Sequence, residues 1–222
     1  MNSKAGYMDQ KFETVHEDVF TFNLNKNRFI RWTVMRLLAP LGRLCPVSKL
    51  SDFLDGALDY LEKIILDVFP NDRFEPDWPA FKVLGELVMA VSRKAGEKPG
   101  KPRNFSVVSS RLKRIIDLVE EGLKATKKRP FCTAALKCLA MIANTVGDEL
   151  TPHLSVLLNQ MFNDNLSDVL VEALAEISSS IPRIHKLIQA RLMHELSVVL
   201  TGREFQPGGS SLTSAGRQSE SK

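Results

Sequence analysis

An all-α solenoid of stacked helix pairs is the fold this sequence predicts, and three observations carry it. Apolar residues recur at steps of three and four through successive helix-length segments. Aromatic residues make up only 7% of a chain that is 44% hydrophobic, and Tyr7 and Tyr60 are its tyrosines, a poor supply for a β-sandwich. One helical frame recurs along the chain, as set out below.

Asn27 to Leu44 reads as a helix, with Phe29, Ile30, Val34, Leu37, Leu38 and Leu41 as its apolar stripe. Pro46 stops it. Ser48, or Ser51 in competition with it, is expected to cap the next helix. That helix places Leu50, Leu54, Leu58, Leu61, Ile65 and Val68 on one face and ends before Pro70. Asn71 to Asp77 is a loop. Trp78 to Ala95 follows as a helix with Phe81, Leu84, Leu87, Val88 and Val91 inward, and Gly96 is a natural left-handed terminator. Glu97 to Asn104, with Pro99, Gly100 and Pro102, is an exposed loop. The helix from Ser106 to Thr126 points Leu112, Ile115, Ile116, Val119 and Leu123 inward.

Pro130 suits the first turn of the next helix, which runs to Val146 and stops at Gly147. Thr151-Pro152 opens another, with Leu154, Leu157, Leu158 and Met161 facing in. Asn163 to Asn165 is a turn. Ser167 caps a helix to about Ser180, Pro182 interrupts the chain, and a last helix covers about Ile184 to Leu200. Three regions result: a poorly defined segment over 1–26 with room for one helix, a helical array over 27–201, and a flexible Gly/Ser/Pro-rich tail or linker over 202–222 that lacks the apolar residues to order itself.

The recurring frame is Ala80-Phe81-Lys82-Val83-Leu84-Gly85-Glu86-Leu87, which aligns with Ala135 to Ile142 and with Leu170 to Ile177. Leu84, Leu139 and Leu174 share one position, and the small residues Gly85, Ala140 and Ala175 share the next, where they are expected to let a neighbouring helix come close. The offsets of 55 and 35 residues bracket the roughly 40–47-residue repeat of HEAT and armadillo proteins. About four antiparallel pairs fit, over 10–45, 48–96, 105–147 and 149–181, plus a final helix. A compact, non-repetitive bundle is the competing architecture, and the aligned frame argues against it.

Net charge is +4, but residues 93 to 129 carry twelve Lys/Arg against four Asp/Glu. Lys124, Lys127, Lys128 and Arg129 form the candidate interaction patch. A helix C-terminus favours cations for structural reasons alone; the functional alternative is an acidic partner or an anionic surface. Aromatic interleaving of the kind single-strand binders use is missing, so no specific nucleic acid is expected. Cys45, Cys132 and Cys138 have no paired spacing, which points to a reducing compartment. No phosphate loop, kinase catalytic loop or DFG triplet occurs. His16, His153, His185 and His194 are scattered, and Cys132 and Cys138 lie on different faces of one helix, so no metal, cofactor or catalytic residue is assigned. No apolar run reaches the roughly 18–20 residues of a membrane span.

Met141-Ile142-Ala143-Asn144-Thr145-Val146-Gly147 is followed by Leu154, Met161-Phe162, Leu166-Ser167 and Ala173-Leu174. Then come Ile181-Pro182, Ile188 to Leu192, Leu196 to Gly202 and Pro207-Gly208-Gly209. In order and spacing these runs resemble the N-terminal HEAT region of target of rapamycin (TOR) serine/threonine kinases, closely over 78–209 and more loosely over 27–70. The resemblance implies a scaffold in nutrient and growth signalling, contacts with a Raptor-like subunit, self-association, and a cytoplasmic location peripheral to endomembranes within a larger complex. It also implies a partial chain or a truncated paralogue, because the family's kinase domain has no counterpart here. A stand-alone HEAT adaptor unrelated to kinase signalling is the alternative reading.

Overall fold

The computed structural model describes residues 12, 15, 18–21, 25, 27–66, 78–96, 106–124, 129–162 and 166–201. The expected loops at 71–77 and 97–104, the turn at 163–165 and the tail at 202–222 lie outside them, as does most of 1–26. Every regular element among the described residues is helical: α1 (Arg28–Leu44), α2 (Leu50–Ile65), α3 (Trp78–Lys94), α4 (Leu112–Lys124), α5 (Arg129–Val146), α6 (Thr151–Met161), α7 (Asp168–Ser180) and α8 (His185–Thr201). Short 3-10 turns precede α2, α4, α6 and α8.

The chain divides into a unit ending at Ile184 and a second one from His185 onward. In the first unit the helices alternate between two layers. One is the series α1–α3–α5–α7 and the other α2–α4–α6, each helix packing on its neighbours within the layer, with α1–α2, α2–α3 and α4–α5 packing across the layers. This is the all-α solenoid that the periodicity predicts, because no helix pair buries its own apolar face without the next. In the second unit α8 carries an Arg191–Glu195 ion pair at 2.8 Å, buries Ile188, and exposes Leu187, Met193, Leu196, Val199 and Leu200.

Local sequence sets most of the boundaries. Asn27 caps α1, its side chain accepting the Phe29 amide at 2.9 Å. Ser167 caps α7 by accepting from the Leu170 amide at 3.2 Å. Gly96 (φ +69°) and Gly147 (φ +61°) end α3 and α5 in the left-handed conformation that glycine adopts without strain. Neither serine caps α2, however. A 3-10 turn over Val47–Lys49 delivers the chain to Leu50, no side chain caps the helix, and the Ser51 hydroxyl instead accepts from Arg111 at 2.6 Å.

The core runs between the layers. Leu38, Leu50, Leu54, Leu58, Leu61, Leu84, Leu87, Ile115, Val119, Leu139, Ile142, Leu154, Leu170 and Ile177 are all buried. Two expectations need correction. Phe29 and Leu37 do not face inward with the rest of the α1 stripe: Phe29 is 70% exposed and Leu37 40%, while Met35 and Ala39 are buried in their place. The apolar arc of α1 is wider than its buried face, and spacing alone does not say which edge of the arc the next layer covers. Ala175 is exposed, so it admits no neighbour, whereas Gly85 lies directly against Met141 of α5 and Ala140 is buried.

Packing also extends the repeat frame to α1. Arg36, Leu38, Ala39, Leu41 and Cys45 stand 46 residues before Lys82, Leu84, Gly85, Leu87 and Val91, with the same alternation of exposed and buried positions. Gly42 sits against Leu87 and Val91, and Gly85 against Met141, so equivalent positions of successive helices lie at one level of the layer.

Across the layers, buried Tyr60 of α2 donates to the Arg31 carbonyl of α1 at 2.7 Å, and burial pushes its hydroxyl pKa upward. Tyr60→Phe keeps the ring and removes the donor. It is expected to lower unfolding free energy by about 0.5–1.5 kcal/mol, measured as a shift in urea midpoint with unchanged slope.

Candidate interaction surfaces

The four cations singled out in the sequence do not all fall on described residues. Lys124 is exposed in the last turn of α4, where its ammonium pairs with Glu120 at 3.0 Å and Glu121 at 3.2 Å, and these carboxylates hold its pKa up. Arg129 opens α5, but its side chain lies outside the described set, as do Lys127 and Lys128. Glu120 in turn accepts from Gln160 of α6 at 2.6 Å, so Lys124 belongs to a polar link between α4 and α6.

That link continues along the surface of the α2–α4–α6 layer. Arg111 at the start of α4 forks onto Asp55 of α2, with Nε–Oδ1 at 2.9 Å and Nη2–Oδ2 at 2.5 Å. Arg114 reaches Asp59 at 2.6 Å and also Glu62. Ser109 donates to Glu149 in the turn before α6. These bonds fix the register of neighbouring helices that the apolar core alone would let slide. The hydrogen bond from Arg111 holds the Asp55 pKa below its ordinary 3.8. The stabilisation is therefore present above that value and lost as pH falls through the lower folded-state value. Acid titration is expected to weaken the native state below about pH 4, and Asp55→Asn to flatten that part of the pH–stability curve; equal acid slopes in the two proteins would exclude the pair as the cause.

None of the three cysteines is in a disulfide, and all three are buried. Burial raises the Cys45 thiol to about 11 and pushes the Cys138 thiol higher still, so neither supplies a thiolate near neutral pH. Among the described residues no group of three or more His, Cys, Asp or Glu side chains could hold a metal ion.

What the first unit does offer is an open apolar groove of about 390 Å³ on the outer side of α1. Val15 and Val19 form one wall, and Phe29, Ile30, Val34 and Leu37 the other, with Asp18 as its charged member. Phe29 and Leu37 sit at one edge of the α1 apolar arc, and only packing reveals that this edge faces an open groove among the described residues.

No protein-family model matches the chain. Curated proteins do. Serine/threonine-protein kinase TOR2 of Saccharomyces cerevisiae is 24% identical over 209 residues, covering 92% of this chain. Serine/threonine-protein kinase TOR of Arabidopsis thaliana is 24% identical over 205 residues, again 92% of this chain. The rice protein of the same name is 25% identical over 209 residues, 94% of this chain. The chain is similar to one short segment of TOR kinases. It spans about 8% of the length of the TOR relatives it matches, and the match runs along nearly all of the helical array. Among the described residues no helix is long and apolar enough to cross a membrane.

Proposed function

We propose that this chain is a protein-interaction scaffold segment of a TOR-like assembly, without catalytic function of its own. The observation that carries the proposal is a match to TOR kinases along some nine-tenths of the chain but only 8% of theirs. The character of the surface supports it. Arg111, Arg114 and Gln160 tie α2, α4 and α6 side by side, and stacked helical arrays present extended surfaces that serve as binding platforms. The perturbed groups lie in structural ion pairs or in the core, not together in a cleft. A Raptor-like subunit and a second copy of the assembly are the partners this reading expects. The basic cluster at Lys124, Lys127, Lys128 and Arg129 is retained as a contact to test by charge reversal. A stand-alone helical adaptor is the second reading.

One experiment separates these readings. Native extract of the source cells is fractionated by size, and each fraction is immunoblotted under denaturing conditions for the epitope at residues 149–181. A denatured band far above 24.9 kDa that migrates natively in a still larger particle is the expected result. A band near 24.9 kDa in a large particle selects the adaptor. Elution at the mass of the single polypeptide overturns the scaffold proposal in both forms.

A further inference from the structure

The layer α1–α3–α5–α7 presents the frame position occupied by Arg36, Lys82, Lys137 and Glu172 to solvent in each helix. The contacts of Gly42 with Leu87 and Val91, and of Gly85 with Met141, set these helices in register, so the first three residues form a row of cations across α1, α3 and α5. Arg36 and Lys137 form no ion pair or hydrogen bond with any described residue. Lys82 is 67% exposed and has a single distant pairing, with Glu86 at 3.9 Å. Arg43 and Arg93 are exposed on the same helices and also unpaired among the described residues. Structural cations in this protein look different: Arg111 and Arg114 each engage carboxylates of the neighbouring helix. Helix stability therefore leaves this row unexplained.

Acidic residues are scarce on this layer as far as α5. Glu86 is the acidic residue of α1, α3 and α5. On the other layer α2 carries Asp52, Asp55, Asp59 and Glu62. The cation row ends at α7, where the frame position becomes Glu172 and Glu176 lies one turn on. An acidic partner attracted to the row meets like charge at Glu172 and Glu176, which limits it on the α7 side.

The spacing specifies the partner further. Neighbouring helices in a layer stand about 8–10 Å apart. A polyproline II segment advances about 3.1 Å per residue with three residues per turn, so every third side chain lines one edge at about 9.3 Å intervals. A β-extended segment alternates sides with period two and cannot present every third residue on one edge. We propose that the face of α1, α3 and α5 docks an acidic polyproline II segment of a partner protein, with carboxylates at every third residue meeting Arg36, Lys82 and Lys137. This inference rests on the scaffold reading and assigns it a binding face.

The test uses the full 222-residue chain and two fluorescent nonapeptides of equal composition. One is three repeats of Glu-Pro-Pro, and the other gathers its three Glu at the centre. Anisotropy titration at low salt is expected to show at least about tenfold tighter binding of the repeating peptide, falling steeply as salt rises. The exposed triple substitution Arg36→Glu, Lys82→Glu, Lys137→Glu is expected to remove that binding while leaving the helical circular dichroism and urea midpoint in place. Lys113→Glu, on the other layer, is expected to leave it unchanged. Equal affinity for the two peptides, or binding retained by the triple variant, overturns the proposal. So does preferential binding of phosphatidylserine vesicles or poly(U) that is lost in the triple variant, which reassigns the row to lipid or nucleic acid. If neither peptide binds while the epitope still migrates in a large particle, this docking face falls and the scaffold reading stands.

Discussion

Gly122→Ala is expected to destabilise the first unit by about 1–3 kcal/mol, although alanine is the better helix former by about 1 kcal/mol. Gly122 lies on α4 where three helices meet. An added Cβ there would stand 2.5 Å from Phe81 Cζ of α3 and 2.7 Å from the Ala135 Cβ of α5. Phe81 and Ala135 are both fully buried. The ring could swing only into other packed atoms, and the Ala135 methyl is fixed to its backbone, so α5 must shift bodily. Gly85→Ala makes a useful contrast. Its nearest obstacle is the Met141 sulfur at 2.9 Å, part of a flexible side chain that can repack, and its cost is expected to be smaller. Urea unfolding checks both. Ala135→Gly combined with Gly122→Ala should cost less than the two single changes added together, since one methyl then replaces the other. A Gly122→Ala protein as stable as the parent would mean that α4 and α5 are less closely held than the distances imply.

Phe53→Ala carries the largest expected single effect, about 3–5 kcal/mol for a buried Phe. The Phe53 side chain on α2 is 1% exposed. It meets the rings of Phe12 and Phe20 edge-on, with centroids 6.0 and 6.2 Å away, and its Cε1 lies 3.3 Å from where a Cβ on Gly42 would be. One ring therefore joins α2, α1 and the helical residues near Phe12 and Phe20. Both rings meet α2 at Phe53, so the loss should be uneven along the chain. Amide exchange around residues 12–21 is expected to accelerate further than exchange in α5, and Phe53→Leu should recover most of the global stability but less of the local protection. Uniform acceleration along the array would show that Phe53 acts only through the common core.

Much of the fold was legible before any coordinates. The helix stops at Gly96 and Gly147, the Ser167 cap, the inward faces of α2, α4 and α6, and the repeat frame over residues 80–87 and 135–142 all depend on interactions within about four residues. Local chemistry settles such features. Neither Ser48 nor Ser51 caps α2, because the helix begins at Leu50: Ser48 lies in the preceding 3-10 turn, and Ser51 lies inside the helix, where its hydroxyl accepts from Arg111 60 residues away. The interaction surface was only partly legible. The cluster around Lys124 stands out as adjacent letters, whereas Arg36, Lys82 and Lys137 lie 46 and 55 residues apart and become a row only when the helices stack in register.

Hydrophobic periodicity, glycine termini and a serine cap act within a turn or two, and they suffice to make this chain a series of amphipathic helices with one recurring frame. How closely those helices approach follows from packing alone. The periodic pattern marks Gly85, Ala140 and Ala175 alike as small, yet Ala175 faces solvent, and the tightest crossing is at Gly122, which the frame does not mark. The distance between two helices depends on side chains contributed by both, and no single segment contains that information.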